Sequence, residues 1–474
     1  MSDILFIKHA AQLLTISGNT DKPAKTDAMR ELNSIEDGGL LAKDGEIIAI
    51  GTTEKIQAKY ADEIAQAKQI DASNKVVSPG LIDPHTHLVH AGTRENEYAM
   101  RLKGKSYMDI MHAGGGIHAT TRATQQANYD QLYHESKLRL DTFLTNGVTT
   151  VEAKSGYGLT TEHEIKQLEV AKQLNKDHVM DVVSTFMGAH AVPVAEKENP
   201  DIFVDRVISE MIPEVAKRNL ATFNDVFCER GVFTPEQSRR ILEAGKEYGL
   251  IPKIHADEIE SYGGAELAAA VGAISADHLL KASDVGIRQM AEQDVIGVLL
   301  PGTAFFLMAE FAQARKMIDQ GLAVALSTDA NPGSSPTLSL QFIMNLGCLK
   351  MGMTPEEVIT ATTINAAHAI GCADKIGSLE IGKQADITIF NVPNYLMLSY
   401  QYGMNHVDTV IKKGKVVVEQ ENLSTCNRHV SSVISVAQKI LKIVKCAKLE
   451  YLSKIYQLIT VQKFSFLNIG FIEP

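Results

Sequence analysis

The sequence predicts a parallel (β/α)8 barrel joined to a small β-sandwich domain that is built from both flanks of the barrel. Three observations carry that prediction. Between about Lys75 and Asn331, eight short runs rich in Val, Ile and Phe alternate with stretches of helical spacing, and that alternation closes into a barrel before it forms anything else. On either side, alternating strands are joined by tight Asp-Gly and Lys-Gly turns. A chain of 474 residues also exceeds what one core fills, so a large domain with a smaller satellite is expected.

Residues 1–73 include "GGLLAKDGEIIAIG" and supply the first part of the sandwich. Residues 74–373 form the barrel, with strands expected at Val76–Asp83, Val148–Ala153, Val182–Met187, Asn224–Glu229, Pro252–Ala256, Ala273–Asp277, Val295–Leu300 and Ala323–Thr328. The helices between them carry start and stop signals. In "TPEQSRRILEAGKEYG", Thr234 is the N-cap, Pro235 opens the first turn, Gln237 sits where a capping box needs it and Gly249 ends the helix. The same grammar recurs from Thr354 to Gly371. The loop after strand one, His87 to about Tyr129, is long and holds "HAGGGIHATTRAT", whose glycines suggest a mobile or ligand-hugging segment. Residues 374–420, with "IGSLEIGKQADITIFNV" and "VDTVIKKGKVVVE", complete the sandwich. Residues 421–474 differ again: seven Lys or Arg stand against three Glu, and Ile440, Val444, Ala447, Tyr451, Ile455 and Leu458 recur at helical spacing. A basic, partly helical extension is expected there, packed on its own protein or docked on a partner or membrane.

Composition is that of an ordinary globular protein, 45% hydrophobic and 22% charged. A formal net charge of −11 argues against nucleic acid or an anionic membrane as a general partner. An anionic ligand must therefore meet its own local cation. The five cysteines, at 228, 348, 372, 426 and 446, show neither CxxC nor framework spacing, which favours a reducing compartment. The opening "MSDILFIKHAAQLLTI" carries Asp3 and Lys8 inside its apolar stretch, unlike a signal peptide, and no eighteen apolar residues run together. A cytoplasmic location is expected, without a membrane span.

If the barrel forms, its strand ends share one mouth, and polar residues there carry the chemistry. Strand one runs into "DPHTH", whose His85 and His87 point the same way in an extended chain. Strand five ends in "KIHADE", giving His255 and Glu258; strand six ends in "SADHLL", giving His278; strand eight ends in "LSTDANPGSS", giving Asp329. A single strand histidine is usually structural, but so many polar groups converging on one rim point to a metal. The expected ligands are His85, His87, His255 and Asp329, which suit zinc or iron better than calcium or copper. Such an ion lowers the pKa of a water it holds, from 15.7 towards about 7. Glu258 is placed to move the proton, or alternatively to orient an imidazole, and His278 to stabilise an oxyanion. A two-metal site needs a bridging group, often a carboxylated lysine on strand four. "NDVFCER" supplies Cys228 and Glu229 but no lysine, and Lys154 at the end of strand two is a poor substitute, so one ion is expected.

These segments resemble the amidohydrolase superfamily, and within it "HTHLVHAGTRENEYAMRLKGKSYMDIMHAGGGIHATTRAT", "EAKSGYGL" and "TFMGAHAVP" are similar to the imidazolonepropionase family of histidine degradation. The likeness spans roughly residues 35 to 418. It implies hydrolysis of 4-imidazolone-5-propanoate to N-formimidoyl-L-glutamate with one Zn2+ or Fe2+/Fe3+ ion, and a homodimer. The substrate's carboxylate calls for a planar cation, which Arg94 supplies. The resemblance adds Tyr157 and His190 around the substrate; from the residues alone, Tyr157 between two glycines equally marks a turn. Asn331, Gly333 and Ser334 are expected to contact the glutamate part of the product through backbone and amide donors, although "NPGSS" also reads as the turn before the next helix. A nucleobase deaminase or cyclic amidase is the nearest alternative, and a catalytically dead barrel kept for binding is a more remote one.

Overall fold

The computed structural model describes residues 3–105 and 115–420. The N-terminal flank contributes β1 (Ile4–Ala10), β2 (Gln12–Leu14), β3 (Ser34–Ile35), β4 (Gly38–Lys43), β5 (Glu46–Thr52), β6 (Lys68–Asp71) and β7 (Val76–Pro79). Eight further strands follow, β8 (Leu81–Asp83), β9 (Val148–Lys154), β10 (Asp181–Ala189), β11 (Phe223–Cys228), β12 (Ile251–Ala256), β13 (Ser275–His278), β14 (Ile296–Leu299) and β15 (Val324–Leu326). The C-terminal flank adds β16 (Ile387–Phe390), β17 (Val407–Lys412) and β18 (Lys415–Glu419).

Strands β8 to β15 pair in sequence order, every neighbour parallel. The ring closes just beyond the strand ends, where Thr86 bridges Ala330 and the His87 N–H donates to the Ala330 carbonyl at 3.0 Å. Strand one and strand eight are thus stitched together at the HxH segment itself. All seven residues of β9 are buried, as expected of a parallel strand covered on both faces, and this is why these strands read as apolar runs instead of alternating patterns.

The flanks form a four-stranded sheet, β5-β4-β1-β6, and a six-stranded one, β18-β17-β16-β7-β2-β3. Leu5, Ile7, Leu40, Val77, Ile387 and Ile389 bury their side chains in one apolar layer contributed by both sheets. The hairpin turns have both central residues at positive φ, Asp44 (52°) with Gly45 (92°) and Lys413 (49°) with Gly414 (72°), the mirror-image turn geometry that two-residue hairpins favour.

Three expectations are corrected in detail. The run Val76–Asp83 is not one barrel strand: Val76–Pro79 pairs with β16 and β2 in the six-stranded sheet, and only Leu81–Asp83 joins the barrel. A continuous apolar run cannot reveal that its two halves are buried against different sheets. The segment Thr354–Gly371 makes two helices, Pro355–Ala361 and Ile364–Ala369, although Thr354 caps the first with Glu357 as expected and Thr234 does so with Gln237. The hydroxyls of Thr362 and Thr363 donate back to carbonyls three and four residues earlier, which competes with regular continuation. The long first loop contains helices Glu95–Leu102 and Ile117–Gln126; part of its glycine run, and the whole basic extension from residue 421 onward, lie outside the described residues. Among the described residues no helix is long and apolar enough to cross a membrane.

Candidate metal centre and active site

His85 and His87, carried just past β8, and His255, near the end of β12, each bring one ring nitrogen within 4.8 Å of the others, and all are buried. Asp329 follows β15, and its Oδ1 lies 3.5 Å from His85 Nε2 and 3.8 Å from His87 Nε2. The Nε2 atoms of His85 and His255 have no hydrogen-bond partner although they are buried. Buried polar atoms are nearly always satisfied, so two orphaned imidazole nitrogens facing a carboxylate fit a divalent cation. The opposite ring nitrogens are held by carboxylates: His85 Nδ1 lies 2.7 Å from Asp277 Oδ2, and His255 Nδ1 lies 3.1 Å from Asp225 Oδ1. Such partners fix the tautomer that leaves Nε2 for an ion. Thr303 Oγ1 donates to the other Asp329 oxygen at 2.5 Å.

Sequence reading missed this supporting layer. Lys154, set aside above as a poor metal bridge, is completely buried and pairs with Asp225 Oδ2 at 2.7 Å, Glu152 Oε1 at 3.0 Å and Asp277 Oδ2 at 3.1 Å. Lys253 pairs with Glu152 from the other side at 3.1 Å. The available signal was charge inside otherwise apolar strands, in "VEAK", "NDVF", "PKIH" and "SADH". Burial opposes the charge on Asp225, but His255 and Lys154 outweigh it and hold this carboxyl below its ordinary range.

Glu258 and His278 meet at the cavity wall, with His278 Nδ1 3.6 Å from Glu258 Oε1. The loop is pinned on both sides of Glu258. The Asp257 carboxylate accepts the amides of Tyr262, Gly263, Gly264 and Ala265, and Glu229 Oε2 accepts the Ile259 amide at 2.8 Å. Asp277 and Asp225 already orient His85 and His255, so Glu258 is not needed for that task. Burial, reinforced by the nearby Asp329 charge, pushes Glu258 up to about 8. Burial also depresses His278 and His87 well below the ordinary imidazole range, which keeps both rings neutral. The backbone is left-handed at His278 (φ 75°) and Asp329 (φ 51°), conformations that non-glycine residues adopt rarely and that tend to cluster at functional sites.

A cavity of about 300 Å³ unites most of the predicted residues: His87, Arg94, Tyr157, His190, His255, Glu258, His278, Asp329, Asn331 and Ser334 all line it. His85 lies deeper, completely buried. Tyr157 is held in its loop by Glu164, whose carboxylate accepts the amides of Gly156, Gly158 and Leu159, and by Gln167, which accepts the Tyr157 amide. Its ring stands 5.4 Å from His87 and 5.3 Å from His190. Gly156 has φ +113°, and a Cβ there would come within 2.8 Å of the His190 ring, so only glycine fits. His190 stacks on His87 at 4.6 Å between ring centres. Burial lowers His190 to about 3, and it holds the Gly156 carbonyl at 3.1 Å.

The "NPGSS" segment is a turn. Asn331 Oδ1 accepts the amides of Gly333 and Ser334, both at 2.8 Å, and the Ser334 hydroxyl at 3.1 Å. These amides are therefore committed within the protein; of the three residues expected near the product, Asn331 and Ser334 line the cavity and Gly333 lies against the Arg94 guanidinium. The role of Gly333 is space: the guanidinium lies where a side chain there would be. Arg94 Nε has no hydrogen-bond partner and stands 3.4 Å from Glu97 Oε2. A larger cavity of about 610 Å³ shares Arg94 and Asn331 but contains none of the imidazoles or carboxylates of the metal cluster.

The site carries a pH signature. Burial raises Glu258 to about 8, Asp83 to about 7 and Asp329 to about 6. Unfolded, these carboxyls release their protons near 4, but below about pH 6.5 the buried, depressed imidazoles of His87, His90, His190 and His278 act in the opposite sense, so it is between about pH 7 and 8, through Glu258 and Asp83, that the native state binds more protons than the unfolded one. Stability without metal must then fall as pH rises across that interval, by up to about 1.4 kcal/mol per pH unit for each of these two groups. The expected result is a melting temperature of chelator-treated protein that declines from about pH 7 to 8, with the decline reduced by Glu258→Gln. A flat or rising profile over that interval would contradict the burial of Glu258 and Asp83.

Residues 76–417 match the Amidohydrolase family. The chain is 67% identical over 424 residues to an imidazolonepropionase of Brevibacillus brevis, an alignment that covers 90% of this chain and 100% of the relative. It is 65% identical to an imidazolonepropionase of a Geobacillus species, over 88% and 99% of the two chains. Among solved structures, the guanine deaminase of E. coli superposes with a TM-score of 0.66 at 16% identity, over 88% of this chain and 100% of the deaminase. A triazine hydrolase variant does so with the same score and identity over 91% and 99%. At that identity the superpositions show the fold alone, whereas the sequence matches reach the group: the chain belongs to the amidohydrolase family and, within it, to the imidazolonepropionases.

Proposed function

We propose that this chain hydrolyses the ring C–N bond of 4-imidazolone-5-propanoate to give N-formimidoyl-L-glutamate, using one zinc or iron ion held by His85, His87, His255 and Asp329. The observation that carries the reading is the pair of orphaned Nε2 atoms, on His85 and His255, beside the Asp329 carboxylate. A divalent ion there supplies Lewis acidity and activates water near neutral pH.

The protein's own residues do the rest. Asp277 and Asp225 keep the Nδ1 protons of His85 and His255, so both rings present Nε2 inward. Glu258 accepts a proton from the attacking water at its carboxylate and returns it to the ring nitrogen that leaves. A cation among the ligands would cancel the Asp329 repulsion that helps to raise Glu258, and so favour its ionised, proton-accepting form. His278, neutral and across from Glu258, faces the carbonyl oxygen as charge develops on it. Tyr157 and His190 wall the ring on one side, while Arg94 offers its guanidinium to the propionate. Asn331 and Ser334 border the carboxylate end, Asn331 through the turn that it organises. The cavity, about 300 Å³, suits a small ring acid. The same reading takes the enzyme to be a cytoplasmic homodimer with no nucleic-acid or membrane partner; free Cys228, Cys348 and Cys372 agree with a reducing compartment.

Arg94→Ala is expected to raise KM by about 10- to 100-fold, the worth of one charge-assisted hydrogen bond. Its melting temperature should stay close to that of the unaltered enzyme. An unchanged KM would remove Arg94 from the carboxylate. The function as a whole is tested by metal analysis of the protein as isolated, paired with the absorbance loss of imidazolonepropionate and parallel assays on guanine, cytosine and hydantoins. Loss of imidazolonepropionate with one ion per chain is expected; deamination of a nucleobase without that loss would overturn the reading.

A further inference from the structure

Asp225, His255 and Asp277 are themselves grouped as metal ligands would be, each with an atom within 4.8 Å of the others and each buried. Asp277 and Asp225 contact the Nδ1 atoms of His85 and His255, the ring nitrogens opposite those left for the proposed ion, and Lys154 Nζ contacts both carboxylates. The ammonium lies 2.7 Å from Asp225 Oδ2, 3.1 Å from Asp277 Oδ2 and 3.0 Å from Glu152 Oε1. All four side chains have no exposure. Three buried carboxylates cannot remain together without a compensating cation. Lys253 provides part of the compensation but touches only Glu152 among the three, at 3.1 Å. Among the described lysines and arginines, Lys154 alone ion-pairs with both Asp225 and Asp277.

We propose that Lys154 is a built-in substitute for a second metal ion: its ammonium occupies the cation position between Asp225 and Asp277, limits the centre to one metal, and holds both carboxylates against His85 and His255. The inference rests on the one-ion centre of the proposed function. Its geometry follows from the strands. Lys154 ends β9, Asp225 lies on β11 and Asp277 on β13, so alternate strands aim these side chains into one layer of the barrel interior, as barrel packing requires. The Lys154 amide donates to the Thr86 carbonyl at 2.8 Å, which ties this residue to the HxH segment. Asp277 Oδ2 also contacts His85 Nδ1, at 2.7 Å, and both Asp225 oxygens lie 3.1 Å from His255 Nδ1. One ammonium therefore sets the orientation of two ligands at once. Lys154 is a positioning residue and touches no reacting atom.

The test uses the full-length enzyme with Lys154→Met, which keeps length and volume but not charge, and Lys154→Arg, which keeps charge. Each protein is saturated with Co2+ or Zn2+, freed of excess metal and analysed for ions per chain, with the visible spectrum of the Co2+ form recorded. The unaltered enzyme should hold one ion. Lys154→Met should take up a second ion, change the Co2+ spectrum and lose affinity for the first ion by about 10- to 100-fold, the range found when groups orienting metal ligands are removed; Lys154→Arg should keep one ion. A folded Lys154→Met enzyme with one ion, unchanged affinity and an unchanged spectrum would overturn the proposal. Should Lys154→Met fail to fold, anomalous diffraction from crystals of the unaltered enzyme soaked in excess Zn2+ decides the matter. A peak between Asp225 and Asp277 would overturn the role of Lys154, and its absence beside a peak at His85, His87 and His255 would support it. An unaltered enzyme that binds no ion would sink the metal reading itself, a result distinguishable from two ions, which would sink only the role given to Lys154.

Discussion

Glu258→Gln should retain one metal ion per chain and lose about 10²- to 10⁴-fold in kcat, the usual worth of a positioned general acid–base group. The two effects separate because Glu258 lines the cavity without belonging to the cluster of His85, His87 and His255: the imidazole it pairs with, at 3.6 Å, is that of His278, which is not among the proposed ligands. The amide oxygen of glutamine can still accept a hydrogen bond at that position, so the cavity keeps its shape and KM should change little. What is lost is the ability to take a proton and give it back. Metal analysis beside steady-state kinetics checks this, and retained turnover would overturn the assigned role.

The second large effect concerns the ligands. His255→Ala and Asp329→Ala should each lose the ion at chelator concentrations that leave the unaltered enzyme loaded, and turnover should fall by more than about 10³-fold, since the Lewis acidity disappears together with the ion. His255→Ala also leaves the Asp225 carboxylate facing Lys154 without its imidazole partner. Removing one member of a buried charged network costs about 3–5 kcal/mol, so this variant should melt lower than Asp329→Ala, whose carboxylate is held chiefly by Thr303. Equal melting temperatures with metal retained in both would contradict the ligand set.

How far this arrangement could be read in advance depended on which physical signal each residue leaves in the chain. The barrel strands are legible because parallel strands buried on both faces are predominantly apolar. His85, His87, His255, His278 and Asp329 are legible because each polar group follows directly on such a run, where barrel chemistry gathers. The same logic fails one layer deeper. Asp225, Asp277 and Lys154 lie within their strands, and a charge there reads on its own as an outward-facing side chain; only the closed ring reveals that alternate strands aim them at one another. Glu164 and Gln167 sit on the helix Thr161–Asp177 and look like solvent-facing polar residues, yet both are buried and organise the Tyr157 loop. At Gly333 spacing alone does not reveal a constraint that the fold does: the absence of a side chain is what admits Arg94. Val76–Pro79 shows a further limit, since apolar periodicity marks burial without naming the sheet that provides it.

X-ray absorption at the metal K edge of the enzyme as isolated tests the central claim most directly. Three imidazole nitrogens and one carboxylate oxygen around a single ion, at roughly 2.0–2.2 Å, are the predicted result. Sulfur scatterers at about 2.3 Å, or fewer than two imidazoles, would contradict it.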